Sequence, residues 1–228
     1  MPFYNSAGKI PKKRHTVFKN PKGGIYYEEL VSREGFSYMY SNLYHLNMPT
    51  QVMQLGKFQK ENKYTYIKED HKPCHFVDPI GFRDSTPLLY NKDISIGSFH
   101  LKTPKYLDEN LFHRNGDADL LLYIQTGNGK LKTNYGDLDF DEGDYIVIPR
   151  GVIYQIHPRD VKGLEIYSKS PIETPAKYRN RVGQLLEHSP FCERDIRIPK
   201  LSDPINKKGE YTVYVRFREG IKSFVYEK

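Results

Sequence analysis

The stretch LLLYIQTGNGKLKTNYGDLDFDEGDYIVIPRG, residues 120–151, decides the fold. Leu120-Leu121-Leu122-Tyr123-Ile124 is a continuous apolar run of strand length, and the glycines of Gly127-Asn128-Gly129 are expected to end it. Leu131 to Tyr135 alternates and should stop at Gly136-Asp137. Leu138-Asp139-Phe140 leads into the turn Asp141-Glu142-Gly143-Asp144. Tyr145-Ile146-Val147-Ile148 is a second buried strand, closed by Pro149-Arg150-Gly151. Strands this short, joined by Gly/Asp turns at this spacing, predict an antiparallel sandwich or barrel.

Outward from this stretch, the pattern continues in both directions. Val52-Met53-Gln54-Leu55, Tyr64-Thr65-Tyr66-Ile67 and the run from Ile94 to Leu101 are strand-like. Residues 25–46 read as short strands or a helical turn, with a turn at Gly35-Phe36. Residues 1–24 read as an extended arm, because Pro2, Pro11, Pro21, Gly8, Gly23 and Gly24 break regular structure there. Such an arm needs its own barrel or a neighbouring subunit to pack against. Past residue 170, Pro171, Pro175, Pro190 and Pro199 punctuate an irregular segment. Within it Tyr178 to His188 suits one short helix with Leu185 and Leu186 facing inward. Residues 211–226 alternate again as a hairpin around Glu219-Gly220. The expected organisation is therefore an arm with short elements over 1–50, a barrel over 51–170, and a Pro-rich segment with a hairpin over 171–228.

Composition excludes several classes. The 228 residues are 38% hydrophobic and 28% charged, with 19 tyrosines and no tryptophan. Many aromatics at a mean hydropathy of -0.70 suit half-buried strands. No run of about 18 apolar residues exists, so no membrane partner is expected. The start, Met1-Pro2-Phe3-Tyr4, lacks a secretory apolar region, and Cys74 and Cys192 make no disulfide framework. A cytoplasmic location follows as the expectation. The net charge of +7 is scattered, with one basic run at Lys12-Lys13-Arg14-His15 and no nucleic-acid motif beside it. Nucleic acid is therefore not an expected partner. An anionic small molecule or a partner subunit accounts for the charge equally well.

The region from Phe112 to Tyr154 has the layout of the two-motif cupin signature. In its metal-binding form, the signature supplies two His and one Glu from a first strand and its entry loop. A last His comes from a facing strand after Pro-x-Gly. Three or four N/O ligands on stiff strands suit Fe(II) with open positions. Counting back from Gly127 puts the Glu position at Leu120 and the two His positions at Asn115 and His113. Counting from Pro149 puts the last His position at Tyr154. Only His113 keeps its ligand type, and a single imidazole does not hold a metal. Asp117 and Asp119 are near in sequence, but Asp119 should point to the face opposite Leu120. His113, Asn115, Leu120 and Tyr154 thus read as vestigial positions in a barrel kept for structure.

Other constellations are weaker. His71, Cys74 and His75 lie within five residues, but no second cluster completes a tetrahedral set, and a surface loop is the better reading. His188 near Cys192 could be a base beside a thiol. Its surroundings match no general signature, which favours a structural role. No phosphate-cradling Gly-rich loop and no Gly-x-Ser-x-Gly elbow occurs.

The sequence also resembles one particular family, the homogentisate 1,2-dioxygenases, especially the bacterial ones. The resemblance rests on Met-Pro-Phe-Tyr at the start with residues 8–16, Tyr26-Tyr27-Glu28-Glu29-Leu30, Gly35-Phe36-Ser37, Leu43-Tyr44-His45 and Pro49-Thr50. It continues through Asn115-Gly116-Asp117-Ala118-Asp119 and residues 143–151, and closes on Tyr178-Arg179-Asn180 and residues 183–195. These blocks occur in family order over almost the whole chain. The resemblance implies an enzyme of two cupin-type barrels (double-stranded β-helices) whose Fe(II) opens the ring of homogentisate with O2, in tyrosine and phenylalanine catabolism. It implies that the iron ligands, the acid–base His and the substrate contacts belong to a second barrel beyond Lys228. This chain would then carry no catalytic, cofactor-binding or metal-binding residue, would need no cofactor of its own, and would be inactive alone. A homo-oligomer is the expected assembly. Two further readings stay open. One is a free-standing, non-catalytic cupin that binds a small aromatic acid or serves as an assembly module. The other, ranked last, is a metal-dependent cupin using His113 with unconventional ligands.

Overall fold

The computed structural model describes residues 19–20, 22–33, 35–36, 40–60, 76–77, 83–181, 183–201 and 205–227. The basic run at Lys12–His15, most of the N-terminal arm, the strand-like Tyr64 to Ile67 and the His71, Cys74, His75 cluster lie outside these residues.

Two strands stand apart from the rest. β1 (Tyr27–Ser32) and β2 (Tyr40–His45) pair antiparallel, from Tyr27 against His45 to Ser32 against Tyr40. The Ser32 hydroxyl donates to the Gly35 carbonyl in the expected turn. Everything else strand-like belongs to one twelve-stranded sheet. Its members are β3 (Gln54–Leu55), β4 (Gln59–Lys60), β5 (Phe76–Val77), β6 (Arg83–Tyr90), β7 (Ile94–Leu101) and β8 (Leu111–Asn115). They continue with β9 (Asp119–Thr133), β10 (Gly136–Phe140), β11 (Tyr145–Ile148), β12 (Ile153–Ser168), β13 (Glu210–Phe217) and β14 (Gly220–Glu227).

The long strands β9 and β12 run antiparallel along each other, from Tyr154 against Thr133 to Ser168 against Asp119. Their register breaks between Arg159 and Gly163, where both strands bend. Beyond the break, β12 pairs outward with β7 and β9 with β11. Before it, β12 pairs with β8 and β9 with β10. Two strands shared by two half-sheets curl the sheet over one core, and the result is the all-β, cupin-type barrel expected from the turn spacing. Alternation then fills it. Leu120, Leu122 and Ile124 of β9 meet Ile146 and Ile148 of β11, Phe99 and Leu101 of β7, and Leu131, Phe140 and Tyr154 from the other half. Each such fully buried aliphatic side chain contributes about 1.5–3 kcal/mol.

The glycines at 127 and 129 do not end a strand; β9 runs through them for 15 residues. Gly127 has φ +86°, and a Cβ on it would press into the Asp160 carbonyl of β12. At Gly129 the added atom would lie 2.5 Å from the His157 carbonyl oxygen. These residues let two backbones cross closely at the corner, which is why β9 bends without stopping. Pro158, opposite Gly129, sits at the same corner, where a missing ladder donor costs least.

The helix expected over Tyr178 to His188 is not formed. A single 3-10 turn (Ala176–Tyr178) is followed by a bridge between Arg179 and Leu185. Asn180 closes the loop with its side-chain oxygen, which accepts the Gln184 N–H at 3.0 Å, while its own N–H donates to the Gln184 carbonyl at 2.9 Å. Gly183 takes φ +84°, a left-handed residue that stops helical propagation. Leu185 and Leu186 are half-buried in this loop.

The expected hairpin β13–β14 forms, and it turns at Arg218-Glu219, one residue before the expected Glu219-Gly220. β13 lies parallel to β8, from Thr212 beside Leu111 to Arg216 beside Asn115, so the barrel sheet reaches past residue 170. Among the described residues, no helix is long and apolar enough to cross a membrane.

Candidate functional site

The structure brings three of the four counted positions, His113, Asn115 and Tyr154, to neighbouring strands. His113 and Tyr154 are cross-strand partners on β8 and β12, with ring centroids 5.8 Å apart. On its other side His113 stacks with Tyr214 of β13 at 6.4 Å. Tyr154 is 4% exposed and part of the apolar core. Leu120 has no exposed surface and packs in that same core, where an acidic ligand would be needed. Asn115 is 2% exposed at the end of β8. A hydrocarbon, an amide and a phenol whose ring sits between apolar neighbours do not make an iron site with one imidazole. Among the described residues, no three His, Cys, Asp or Glu side chains converge as metal ligands.

Asp119 leaves the face of Leu120, as alternation requires, yet it is wholly buried. Its Oδ2 accepts the Arg33 guanidinium at 2.8 Å and the Ile172 N–H at 2.9 Å. Its Oδ1 accepts the Arg150 N–H at 2.9 Å, with the Arg150 Nε 3.6 Å away. Arg33 also reaches Glu173 at 3.8 Å, and Glu173 pairs with Arg179 at 2.7 Å. Asp119 is therefore a structural hub that fastens the segment after β1 and the segment after β12 to the barrel.

A small pocket, with a cavity volume of about 40 Å³, opens at the end of the barrel where β8, β12 and β13 finish and β7 begins. Asn115 lines it, and among the described residues neither its Oδ1 nor its Nδ2 has a hydrogen-bond partner. Ser95 and Tyr167, cross-strand partners on β7 and β12, form one wall. The Arg216 guanidinium lies 4.1 Å over the Tyr167 ring and donates to its hydroxyl. Phe217 closes the opposite side against Gly116, where a Cβ would stand 2.5 Å from the ring.

Sequence reading missed this pocket. The alternation of Glu165 and Tyr167 on β12, and of Tyr214 and Arg216 on β13, was a usable signal for inward polar side chains. Glu165 is 3% exposed and sits in register with Leu122 of the core strand. The parallel pairing that sets Arg216 beside Asn115, across a hundred residues of chain, was not readable from spacing.

The remaining candidates have structural surroundings. His188 lies against Tyr178 with centroids 6.1 Å apart. The Cys192 N–H donates to Asp195 at 2.8 Å and caps a 3-10 turn (Glu193–Asp195). That backbone bond holds the Asp195 carboxyl below its usual range. His157, half-buried and lying 2.7 Å from Gln155 Oε1, is held below its ordinary pKa first by burial and then by Lys132.

A family model described as homogentisate 1,2-dioxygenase N-terminal matches residues 35–175. A protein of Saccharolobus solfataricus named "Putative dioxygenase SSO1533" is 34% identical over 97% of this chain and 58% of its own length. A homogentisate 1,2-dioxygenase of Bradyrhizobium diazoefficiens is 35% identical over 57 residues, 25% of this chain and 12% of that protein. The chain thus spans little more than half the length of the first of these relatives and a smaller part of the second. Among solved structures, KdgF from a Halomonas species matches with a TM-score of 0.37 at 14% identity, over 47% of this chain and 96% of its own. Ectoine synthase from P. lautus matches with a TM-score of 0.34 at 11% identity, over 40% and 66%. With 141 consecutive residues inside the family model, and a relative of like sequence running almost end to end, the chain belongs to the homogentisate 1,2-dioxygenase N-terminal family.

Proposed function

We propose that this chain is the structural first barrel of a cytoplasmic, homo-oligomeric dioxygenase that opens the ring of homogentisate with Fe(II) and O2 in tyrosine and phenylalanine breakdown. In this reading the chain holds no iron and performs no turnover alone. The observation that carries it is Leu120, fully buried in an apolar core at the position where a cupin would place its carboxylate ligand. The iron chemistry then belongs to residues outside this barrel.

A surface feature adds support. Val147, Leu121, Ile166, Ile96 and Leu89 are successive cross-strand neighbours over β11, β9, β12, β7 and β6. Val147 and Leu89 are exposed and the three between them half-buried, so the row offers an apolar face to a packing partner. A second barrel or subunit of the same assembly is the partner this reading supplies.

An oxygen electrode tests the proposal. With homogentisate and Fe(II), residues 1–228 are expected to consume no O2 above background. A protein that joins this chain to a second, His- and Glu-bearing barrel of the family is expected to consume it. Turnover by the isolated chain would overturn the proposal, and so would inactivity of an iron-loaded extended protein.

A further inference from the structure

We propose that the small pocket at the end of the barrel is a binding site for bicarbonate, a planar anion that carries one hydroxyl. This site is additional to the structural role argued above and does not depend on it.

Asn115 forms the floor. It is 2% exposed, and among the described residues neither its Oδ1 nor its Nδ2 has a hydrogen-bond partner, although it lines the pocket. The large majority of buried side-chain amides are paired, so one left unpaired against a cavity points to an occupant that completes it. Such an occupant has to answer a donor and an acceptor set side by side. An anion that only accepts hydrogen bonds satisfies Nδ2 and leaves Oδ1 bare.

Size narrows the choice. The cavity holds about 40 Å³. One water needs roughly 10–15 Å³ of such space, so the pocket takes about three water-sized groups. That excludes a ring and admits an ion of a few heavy atoms.

Charge gives the sign. Lys169, Arg216 and Arg218 line the pocket against Asp93 and Asp117, which leaves positive charge in excess. Arg218 and Asp117 are committed to the wall. The Asp117 carboxylate accepts the Arg218 N–H at 2.8 Å, and the Arg218 guanidinium donates to the carbonyls of Asn91 and Lys92. Arg216 stands beside Asn115 in the parallel register of β13 and β8. Its guanidinium lies on the Tyr167 ring and donates to the hydroxyl, and its five donors exceed what one phenolic oxygen accepts. A guanidinium fixed in this way presents a planar fork to the oxygens of a planar oxyanion.

Bicarbonate meets these demands together. Its hydroxyl and one neighbouring oxygen share an edge, which matches the Oδ1 acceptor and Nδ2 donor of Asn115. The remaining oxygen turns to Arg216. Ile94, Ala118 and Phe217 supply apolar walls, which strengthen charged hydrogen bonds made beside them.

NMR titration of the 15N-labelled chain, at constant ionic strength and mildly alkaline pH, tests this with sodium bicarbonate, sodium nitrate and sodium sulfate. Bicarbonate is expected to saturate with a millimolar or tighter Kd and to shift the Asn115 side-chain amide. Nitrate, planar and of like size but without a hydroxyl, should bind at least tenfold more weakly, and the bulkier sulfate should not saturate. Asn115→Leu and Arg216→Gln should each weaken bicarbonate at least tenfold with circular dichroism unchanged. Binding of nitrate as tight as that of bicarbonate by the wild-type chain would overturn the proposal. Absence of any saturable shift would do the same, and would leave the pocket to water alone. The comparison of ions on the unaltered chain decides the matter even if neither variant folds. None of these readouts involves iron or O2, so failure here leaves the structural role untouched.

Discussion

The Asp119 carboxylate, with no exposed surface, takes the Arg33 guanidinium at 2.8 Å across 86 residues of chain. This pair joins the loop after β1 to the first residue of the longest core strand but one, and the Ile172 and Arg150 N–H groups complete the carboxylate. Removing one partner of a buried, fully bonded charge strands the others. Asp119→Ala should therefore destabilise the chain by about 3–5 kcal/mol in urea unfolding. Arg33→Ala, which removes the partly exposed partner, should cost less. A loss under 1 kcal/mol for Asp119→Ala would mean that the hub is not what fastens these segments.

Gly127 makes the bend of β9 possible, because its left-handed backbone and bare Cα let the Asp160 carbonyl approach. Gly127→Ala should cost at least about 2 kcal/mol, combining backbone strain with a steric conflict that neither strand can relieve alone. Thermal unfolding of the variant, with far-UV dichroism to confirm the remaining sheet, measures it. An unchanged melting temperature would show that the corner tolerates a side chain.

His157 gives the fold a dependence on acid. Burial, then Lys132, depresses its pKa in the folded chain below the ordinary value near 6.5. Below that value the unfolded chain binds a proton that the folded chain resists, so stability falls as pH drops. The stability is complete above pH about 6.5 and is lost progressively as pH falls toward the depressed folded value. Comparing urea midpoints at several pH values in wild type and His157→Gln isolates the contribution. The variant should show a shallower decline between neutral and mildly acidic pH. Identical slopes would assign the acid sensitivity to other groups.

Much of the barrel was legible because its signals are local. The alternation of Ile94 to Leu101 and the apolar run of Tyr145 to Ile148, with Gly143 and Gly151 at turns, fix strands without tertiary information, although Tyr145 and Val147 prove exposed where a buried strand was expected. The same local logic failed at Gly127 and Gly129. A glycine that ends a strand and one that lets two backbones cross look alike until the crossing strand is known. Tyr178 to His188 misled for a related reason, since the adjacent Leu185 and Leu186, read as the inward face of a helix, competed with the turn chemistry of Asn180 and Gly183. At the site, spacing from Gly127 and Pro149 located His113, Asn115, Leu120 and Tyr154, and the first two and the last do lie on adjacent strands. The pocket itself depends on β13 returning parallel to β8, a non-local pairing that no spacing announces.

Iron content tests the central claim most directly, that this barrel keeps the architecture of a metal-binding cupin without its metal. The chain, purified without an affinity tag, is incubated anaerobically with Fe(II), desalted and assayed for protein-bound iron. With Leu120 in the core and Tyr154 and Asn115 at the remaining ligand positions, well under about 0.1 iron per chain should remain. About one iron per chain, lost in His113→Ala, would contradict the account.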